Sequence, residues 1–538
     1  MLRRTLLSMT SVAALGLGGP LLAADVPDDV TLADEQTFSY RMLDQFPTLD
    51  PQLNEETAGS HVIQQLFEGL MIQDDEGNLI PGVATGYEAN EDNTEFTFTL
   101  REDARWSNGD SVTAQDFVYA WQRAATPATA SPYAWYVELT GMENAAEIIA
   151  GNAEPDTLGV EAVDERTLRV TLTEPKPYFP AMTSYATLSP VHQATVEEFG
   201  DDWTDPENMV SNGAYVLEDV SLNEFWRASK NPEYWDAENV VIEEITGYII
   251  NDSSQALTRW EAGEFDLLEP IPAGSFPRLK EEYPDAAYST PRLCSYYYQL
   301  NQRDDAPEAL KDVKVRKALS YAVDREIITD RVLQGGQTPG YTFTHEATAG
   351  FEAPTIDYSG WTQAERDEAA QQLWEEAGSP ELDLTLIYNT DESHRQIATI
   401  ISQMWKQKLG VEVTLENMEW STYLDVRKAG NFDVARSAWC GDYNEPSTFL
   451  NILKTDQEQN DGKWSNTEFD ALMDQAATSD NPQAQYTEAE MILSNDMGII
   501  PIYHYANVFM LDPTLQGFPM QNVENSWYVK DFYRVAEE

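Results

Sequence analysis

Five histidines, two cysteines and many carboxylates are the residues of this chain that could do chemistry. The histidines are scattered, at His61, His192, His345, His394 and His504. No HExxH pair supplies the helical spacing of a zinc site, and GxSxG and Walker-type glycine motifs are absent. With 93 acidic residues, no carboxylate pair stands out as catalytic. We therefore predict no enzyme, no metal and no cofactor, with a secreted peptidase as the remote alternative.

The cysteines, Cys294 and Cys440, lie far apart in the chain. In an oxidising compartment such a pair is most simply one disulfide, and two buried thiols are the alternative. Metal binding by two cysteines alone is not expected.

Residues 1–23 have the pattern of a signal peptide that directs export. Arg3 and Arg4 precede an apolar stretch at residues 6–17, and cleavage is expected before Ala24. The apolar stretch is shorter than the ~20 residues that a membrane anchor needs. We expect general secretion rather than twin-arginine export, and a free periplasmic protein without a lipid anchor or membrane insertion.

The charge balance excludes several classes of partner. There are 93 acidic and 33 basic residues, for a net charge of −60. Such a surface repels nucleic acid and anionic lipid. The acids are spread along the chain, which favours a halophilic, salt-adapted acidic surface over an acid-specific function. At 538 residues the chain is longer than a single hydrophobic core usually supports, so two or three lobes are expected.

The elements that would position these residues follow an α/β pattern. Residues 95–100 alternate as a strand, and Thr113 begins an amphipathic helix. The C-terminal third then alternates between helices and strands. Its predicted elements are a helix from the capping box at Thr362 to Gly378, a strand at 382–386, a helix through Ile397, Ile400, Ile401, Met404 and Trp405 to Gly410, a strand at 411–415, a helix at 422–429 and a strand at 432–440. This order predicts a mostly parallel sheet with covering helices.

Ligands of such sheets bind at the carboxyl ends of strands, next to helix N-termini. This rule selects residues 388–395, where His394 falls in a first helical turn, and the segment just after Cys440. Strand alternation places Arg436 and Cys440 on one face, which extends to Asp442. An Arg–Asp pair here has two open interpretations, a ligand site or a structural ion pair.

The segment RSAWCGDYNEP, residues 436–446, resembles the ligand-site signature of the oligopeptide-binding proteins of ABC importers. Other landmarks of that family occur in the same order along the chain. They are LDP at 49–51, LFEGL at 66–70, WSNG at 106–109, DFVY at 116–119, ASPY at 130–133, NGAY at 212–215, NPEYW at 231–235 and VDR at 323–325. The resemblance covers essentially the whole chain after residue 23.

This resemblance implies an α/β type II periplasmic binding protein with three lobes. Lobe I would comprise residues 24–67, 192–293 and 507–538, lobe II residues 68–191, and lobe III residues 294–506. Lobes I and III would close like a clamshell over an extended peptide that pairs its backbone with the protein. The Cys294–Cys440 disulfide carries over from the family, and would brace the pocket.

The resemblance also assigns roles to individual residues. Asp442 would bind the peptide α-ammonium, and four cationic side chains would receive the carboxylate of peptides of different length. These four are Arg427, Arg436, His394 and Arg331, the last where close relatives carry Lys. The residues expected to line the cleft are Glu55, Thr57, Tyr133, Tyr297, Trp420, Ala438, Trp439 and Tyr505. The chain departs from the family at three places. Thr57 stands where the family has Val, and Ala438 stands where it has Gly. The segment Leu268-Glu269-Pro270 stands where the family has an Asn.

The implied function is capture of short peptides of about two to five residues, with little sequence preference, and delivery to the membrane subunits of an ABC permease. We expect a monomer. A specialised ligand, such as a cell-wall peptide, a dipeptide or a metal chelate, is the alternative within the binding class.

Overall fold

Nineteen strands occur in the part of the chain that the computed structural model describes, which is residues 24, 26–27, 29–479 and 481–536. The predicted signal peptide, residues 1–23, lies outside these ranges. In chain order the strands are β1 (Thr37–Met42), β2 (Met71–Gln73), β3 (Leu79–Pro81), β4 (Ala84–Ala89), β5 (Glu95–Leu100), β6 (Val160–Asp164), β7 (Thr167–Thr171), β8 (Tyr215–Ser221), β9 (Phe225–Lys230), β10 (Glu244–Ile249), β11 (Leu267–Leu268), β12 (Ala287–Leu300), β13 (Thr338–Pro339), β14 (Asp383–Asn389), β15 (Glu412–Met418), β16 (Val434–Cys440), β17 (Ile499–Leu511), β18 (Leu515–Gln516) and β19 (Tyr533–Arg534).

The α-helices of the same ranges cover the faces of the sheets. In chain order they are α1 (Thr57–Leu66), α2 (Ala114–Ala125), α3 (Ala134–Leu139), α4 (Ala145–Ile149), α5 (Phe179–Met182), α6 (Gln193–Phe199), α7 (Ser253–Glu261), α8 (Phe276–Glu282), α9 (Val313–Tyr321), α10 (Arg325–Ile327), α11 (Gln363–Glu376), α12 (Glu392–Leu409), α13 (Trp420–Lys428), α14 (Ser447–Leu450), α15 (Thr467–Ala477) and α16 (Gln483–Asp496).

One large mixed sheet runs through the molecule in the order β15-β14-β16-β12-β17-β11-β1-β10-β9-β8, with β13 also paired to β17. Strands β11, β1, β10, β9 and β8 form one half of this sheet, and β12 to β16 form the other. The long strand β17 pairs with β12 and, at its end, with β11. The chain passes between the two halves through β12 and β17.

The prediction of a mostly parallel sheet in the C-terminal third is correct for β14, β15 and β16, which pair in parallel. It is wrong for β17, which runs antiparallel to β12. Strand β12 also runs antiparallel to β16. Both long strands are almost continuously buried, so their sequences carry no alternation that reveals direction.

Residues 68–191 contain a separate antiparallel sheet in the order β4-β5-β7-β6. On β5, Phe96 and Phe98 are buried while Glu95 and Thr99 are exposed, as the alternation predicts. The rings of Phe96 and Phe179 pack with centroids 5.2 Å apart. This sheet lies within the residues predicted to form lobe II. The predicted lobe boundaries at 293/294 and 506/507 fall inside β12 and β17.

Helix ends in the structure follow their local sequence signals. The N–H of Thr113 donates to the Asp116 carboxylate at 2.7 Å before α2, and Thr362 and Glu365 form the predicted capping box of α11. Helix α12 ends at Gly410, whose φ of +76° lies in the left-handed region that favours glycine. In the described part of the chain, no helix combines the length and apolar character of a membrane span.

Candidate functional site

A cavity of about 1030 Å³ lies between the two halves of the large sheet and residues 68–191. Its walls include Tyr40 of β1, Tyr133 and Tyr185 of the 68–191 segment, and residues 436–440 of β16. This volume is at the upper end for small-molecule sites.

The structure brings nearly all of the predicted site residues to this one cavity. Those that line it are Glu55, Thr57, Tyr133, Cys294, Tyr297, His394, Trp420, Arg427, Arg436, Ala438, Trp439, Cys440, Asp442 and Tyr505. Arg331 is the exception, because it is exposed on the π-helical turn Ile328–Leu333 and does not line the cavity.

The predicted disulfide is confirmed, and it joins two strands in the cavity wall. Cys294 of β12 lies directly opposite Cys440 of β16 in the antiparallel ladder, and their sulfurs are bonded. The same ladder pairs Tyr297 with Ser437 and Tyr296 with Ala438. The crosslink therefore fixes the strand that carries Arg436 and leads to Asp442.

Asp442 is a buried carboxyl with no basic partner among the described residues. Its side chain is 9% exposed, and the Tyr133 hydroxyl donates to it at 3.5 Å. Its backbone N–H donates to Thr448 Oγ1 at 2.9 Å, which fixes the turn after β16. Burial raises the pKa of Asp442 well above its usual range, since no cation compensates the lost hydration.

Arg436 is a buried guanidinium with no carboxylate partner within the described residues. It donates to the Tyr505 hydroxyl at 2.9 Å and to Asn389 Oδ1 at 3.3 Å, and lies 4.9 Å from the Tyr296 ring centroid. The structural ion pair with Asp442, one of the two interpretations open from sequence, is not formed. Both side chains line the cavity, and neither forms an ion pair within the described residues. Arg436 is near enough to Asp391 for its charge to lower the pKa of that carboxyl.

His394 lies in the first turn of α12, as predicted, and its side chain is buried. Burial, with the nearby charge of Arg436, lowers its pKa to about 3, so the imidazole is neutral at pH 7. Its backbone N–H already donates to the N-cap side chain of Asp391 at 3.0 Å. The Asp391 carboxylate thus caps this helix N-terminus.

Two further predicted residues are held by ion pairs. Arg427 lies 2.7 Å from the Asp461 carboxylate, and Asp461 is 2% exposed. Glu55 accepts from Lys428 Nζ at 2.6 and 2.7 Å, a contact between residues 373 positions apart. The Glu55–Lys428 pair links the segment before α1 to the end of α13 across the cavity.

The cavity also contains residues that sequence reasoning missed. Tyr185 stacks on Tyr133 with ring centroids 5.3 Å apart. Arg292 donates to Glu269 Oε1 at 2.8 Å, so the departure from the family at 268–270 introduces an ion pair. Glu524 lines the cavity, and its carboxylate accepts from Gln73, with no second donor among the described residues. No motif or periodicity marks these positions. No group of three or more metal-ligating side chains occurs in the described ranges.

Residues 78–461 match the family model described as "Bacterial extracellular solute-binding proteins, family 5 Middle". The chain belongs to this family. It has the α/β fold of the type II binding proteins, and, as a family 5 solute-binding protein, it is a binding protein and not an enzyme.

Several curated relatives of this family 5 protein share its full length. The periplasmic murein peptide-binding protein MppA of Escherichia coli is 42% identical over 95% of this chain and 96% of its own. The periplasmic oligopeptide-binding protein OppA of Salmonella typhimurium is 41% identical over 99% of this chain and 98% of its own. The probable deoxycholate-binding periplasmic protein YgiS of E. coli is also 41% identical, over 99% of both. Identity alone therefore does not select the ligand.

Solved structures of family 5 proteins superpose closely on this chain. The E. coli murein tripeptide binding protein MppA matches with a TM-score of 0.91 at 41% identity, over 94% of this chain and 100% of that one. Haemophilus influenzae OppA in complex with RPPGFSPFR matches at 0.89 and 38%, with the same coverage. The unliganded open form of MppA matches at only 0.70, over 95% and 99%. The two halves are thus arranged differently here from that open form.

Proposed function

We propose that this protein captures short peptides in the periplasm, through their backbone and charged ends, and delivers them to the membrane subunits of an ABC permease. The observation that carries the proposal is a pair of buried ionisable side chains, Asp442 and Arg436, at the two ends of one cavity-lining segment. Neither has an ion-pair partner among the described residues. An α-ammonium near Asp442 and a carboxylate near Arg436 would each restore the electrostatic stabilisation that burial removes.

The spacing of these two charges favours a peptide of a few residues. Arg436 and Asp442 are six positions apart, so their Cα atoms are at most about 20 Å apart along an extended chain. At about 3.3 Å per extended residue, a peptide that spans this distance has at most about six residues. Arg427, already paired with Asp461, and the neutral His394 are then secondary partners for carboxylates of other lengths. Arg331 has no part in this site.

Aromatic rings around the cavity suit an occupant whose side chains are not read individually. Tyr133, Tyr185, Tyr297, Trp420 and Trp439 present large apolar faces with few directional groups. Water in so large a cavity adapts to different side chains. The expected ligand class is therefore peptides with little sequence preference.

Calorimetric titration with tri-alanine tests the proposal. Asp442→Asn should weaken binding at least ten-fold, because a charge-assisted bond becomes a neutral one. N-acetylation of the peptide should weaken binding to the unaltered protein by a similar factor, and should add little further loss to the variant. The same comparison is made for the carboxyl end of the peptide, with Arg436→Gln as the variant and C-terminal amidation as the blocked ligand. The proposal would be contradicted if the protein bound the acetylated and the amidated peptides as tightly as the unblocked peptide.

A cell-wall peptide is the narrower candidate, because a murein peptide-binding relative matches this chain about as well in sequence and in structure as the oligopeptide-binding relatives do. Titration with a murein tripeptide beside tri-alanine separates the two. A murein tripeptide that binds while tri-alanine does not would replace the broader assignment.

A further inference from the structure

Glu524 is a second carboxyl of the cavity wall without a cationic partner among the described residues. It is partly buried, and Gln73 Nε2 donates to its Oε2 at 2.7 Å. Its Oε1 accepts from no donor in the described ranges. Burial raises the pKa of Glu524 to about 8, because no cation offsets the lost hydration of the ionised form. A ligand ammonium beside it would favour ionisation.

Backbone hydrogen bonds place Glu524 beside the proposed ammonium pocket. The N–H of Leu293 donates to the carbonyl of Val523 at 2.6 Å, and the N–H of Gly441 donates to the carbonyl of Leu293 at 2.8 Å. Leu293 therefore lies between the two segments that carry Glu524 and Asp442. Neighbouring backbones bonded in this way are ~4.8 Å apart, so the two acidic residues are about 10 Å apart.

The walls behind the two carboxyls come from the same segment of the chain. Gln73 supports Glu524, and Tyr133 and Tyr185 pack around Asp442. The negative charge of Glu524 also contributes to the raised pKa of Asp442. One occupant with two positive groups would compensate both carboxyls. The flexible four-carbon stem of lysine allows its α- and ε-ammonium groups to reach separate acids.

We infer that Asp442 and Glu524 form a two-carboxylate pocket selecting peptides whose first residue carries a side-chain cation, such as lysine. This inference rests on the proposed peptide-binding function and narrows its ligand class at the first residue only, leaving the later positions with little sequence preference. Asp442 would bind the α-ammonium of the first residue, and Glu524 its side-chain ammonium.

The test compares Lys-Ala-Ala with norleucine-Ala-Ala, which keeps the apolar stem and removes the charge. We expect the unaltered protein to bind the lysine peptide about ten-fold more tightly. In Glu524→Gln the two affinities should agree within about two-fold, with the norleucine peptide bound as before. Retained tri-alanine binding will show that the variant is folded.

Position and charge controls separate this pocket from general attraction to an acidic protein. Ala-Ala-Lys carries the same net charge, and its affinity should not respond to Glu524→Gln. The variant Glu88→Gln, an exposed residue of β4, removes one charge elsewhere and should leave the lysine preference intact. A lysine preference that survives in Glu524→Gln would overturn the inference. Failure of tri-alanine to bind at all would instead overturn the proposed function.

Discussion

At the scale of single residues, the cavity is defined by charges that the protein leaves unpaired. Arg427 and Glu55 have ionic partners, whereas Asp442, Glu524 and Arg436 have none in the part of the chain that the structure describes. Unpaired buried charges are costly to a fold, so their collection in one cavity indicates a ligand that compensates them.

Glu524 should make the stability of the ligand-free protein depend on pH. Its pKa is about 8 in the folded state and about 4.5 in an unfolded chain, so the folded state holds a proton that unfolding releases. The stability that Glu524 contributes by holding this proton is fully present below pH 4.5. It is lost as the pH rises through 8. Relative to Glu524→Gln, the unaltered protein should lose about 1–3 kcal/mol of unfolding free energy between pH 5 and pH 8.

Urea unfolding of both proteins at the two pH values measures this difference. Other raised carboxyls, such as Glu56 with a pKa of about 7, are common to both and cancel. Parallel pH profiles for the two proteins would show that Glu524 titrates normally.

The site could be predicted from sequence only in part. Asp442 and Arg436 follow from a contiguous motif and from strand alternation. The partners of Glu55 and Arg427 could not be found, because Lys428 and Asp461 are distant in sequence and carry no pattern. These partners decide which charges are free, and they exist only in the folded chain.

At the scale of elements, the Glu55–Lys428 pair is a direct link between the two sides of the cavity. The side chains are 16% and 30% exposed, so the pair is partly shielded from solvent. An ion pair of this kind contributes about 1 kcal/mol or less.

Lys428→Met should favour separation of the two halves in the ligand-free protein. We expect a larger radius of gyration by small-angle X-ray scattering, and tri-alanine bound about three- to five-fold more weakly, chiefly through faster dissociation. The reversed pair Glu55→Lys with Lys428→Glu should restore the scattering profile of the unaltered protein. Identical scattering of Lys428→Met and the unaltered protein would exclude a role in closure.

Helices and strands of the C-terminal third were predictable because their signals are local. The cap at Thr362, the glycine at 410 and the alternation through β14 each involve a few neighbouring residues. The direction of β17 was not predictable from sequence, since it depends on pairing with β12 across two hundred residues of chain.

At the scale of the whole molecule, the net charge of −60 acts on every part of the fold. Self-repulsion of this size destabilises the compact state at low ionic strength, and salt screens it. The melting temperature should therefore rise by several degrees as NaCl increases from about 0.05 to about 2 M.

Differential scanning calorimetry measures this dependence, with sucrose as the control for stabilisation without screening. A melting temperature that is constant or falls with NaCl would refute the prediction of a salt-adapted surface.

The passage of the chain through β12 and β17 has a consequence for how the protein can be used. The register between these strands shifts between Pro291 and Ser295, and the lobe boundary predicted at 293/294 falls in this irregular stretch. Both native cysteines are bonded to each other, so thiols introduced at Asp219 of β8 and Thr414 of β15, both exposed on outermost strands, can be labelled selectively. A fluorophore pair there would convert occupancy of the cavity into an optical distance signal.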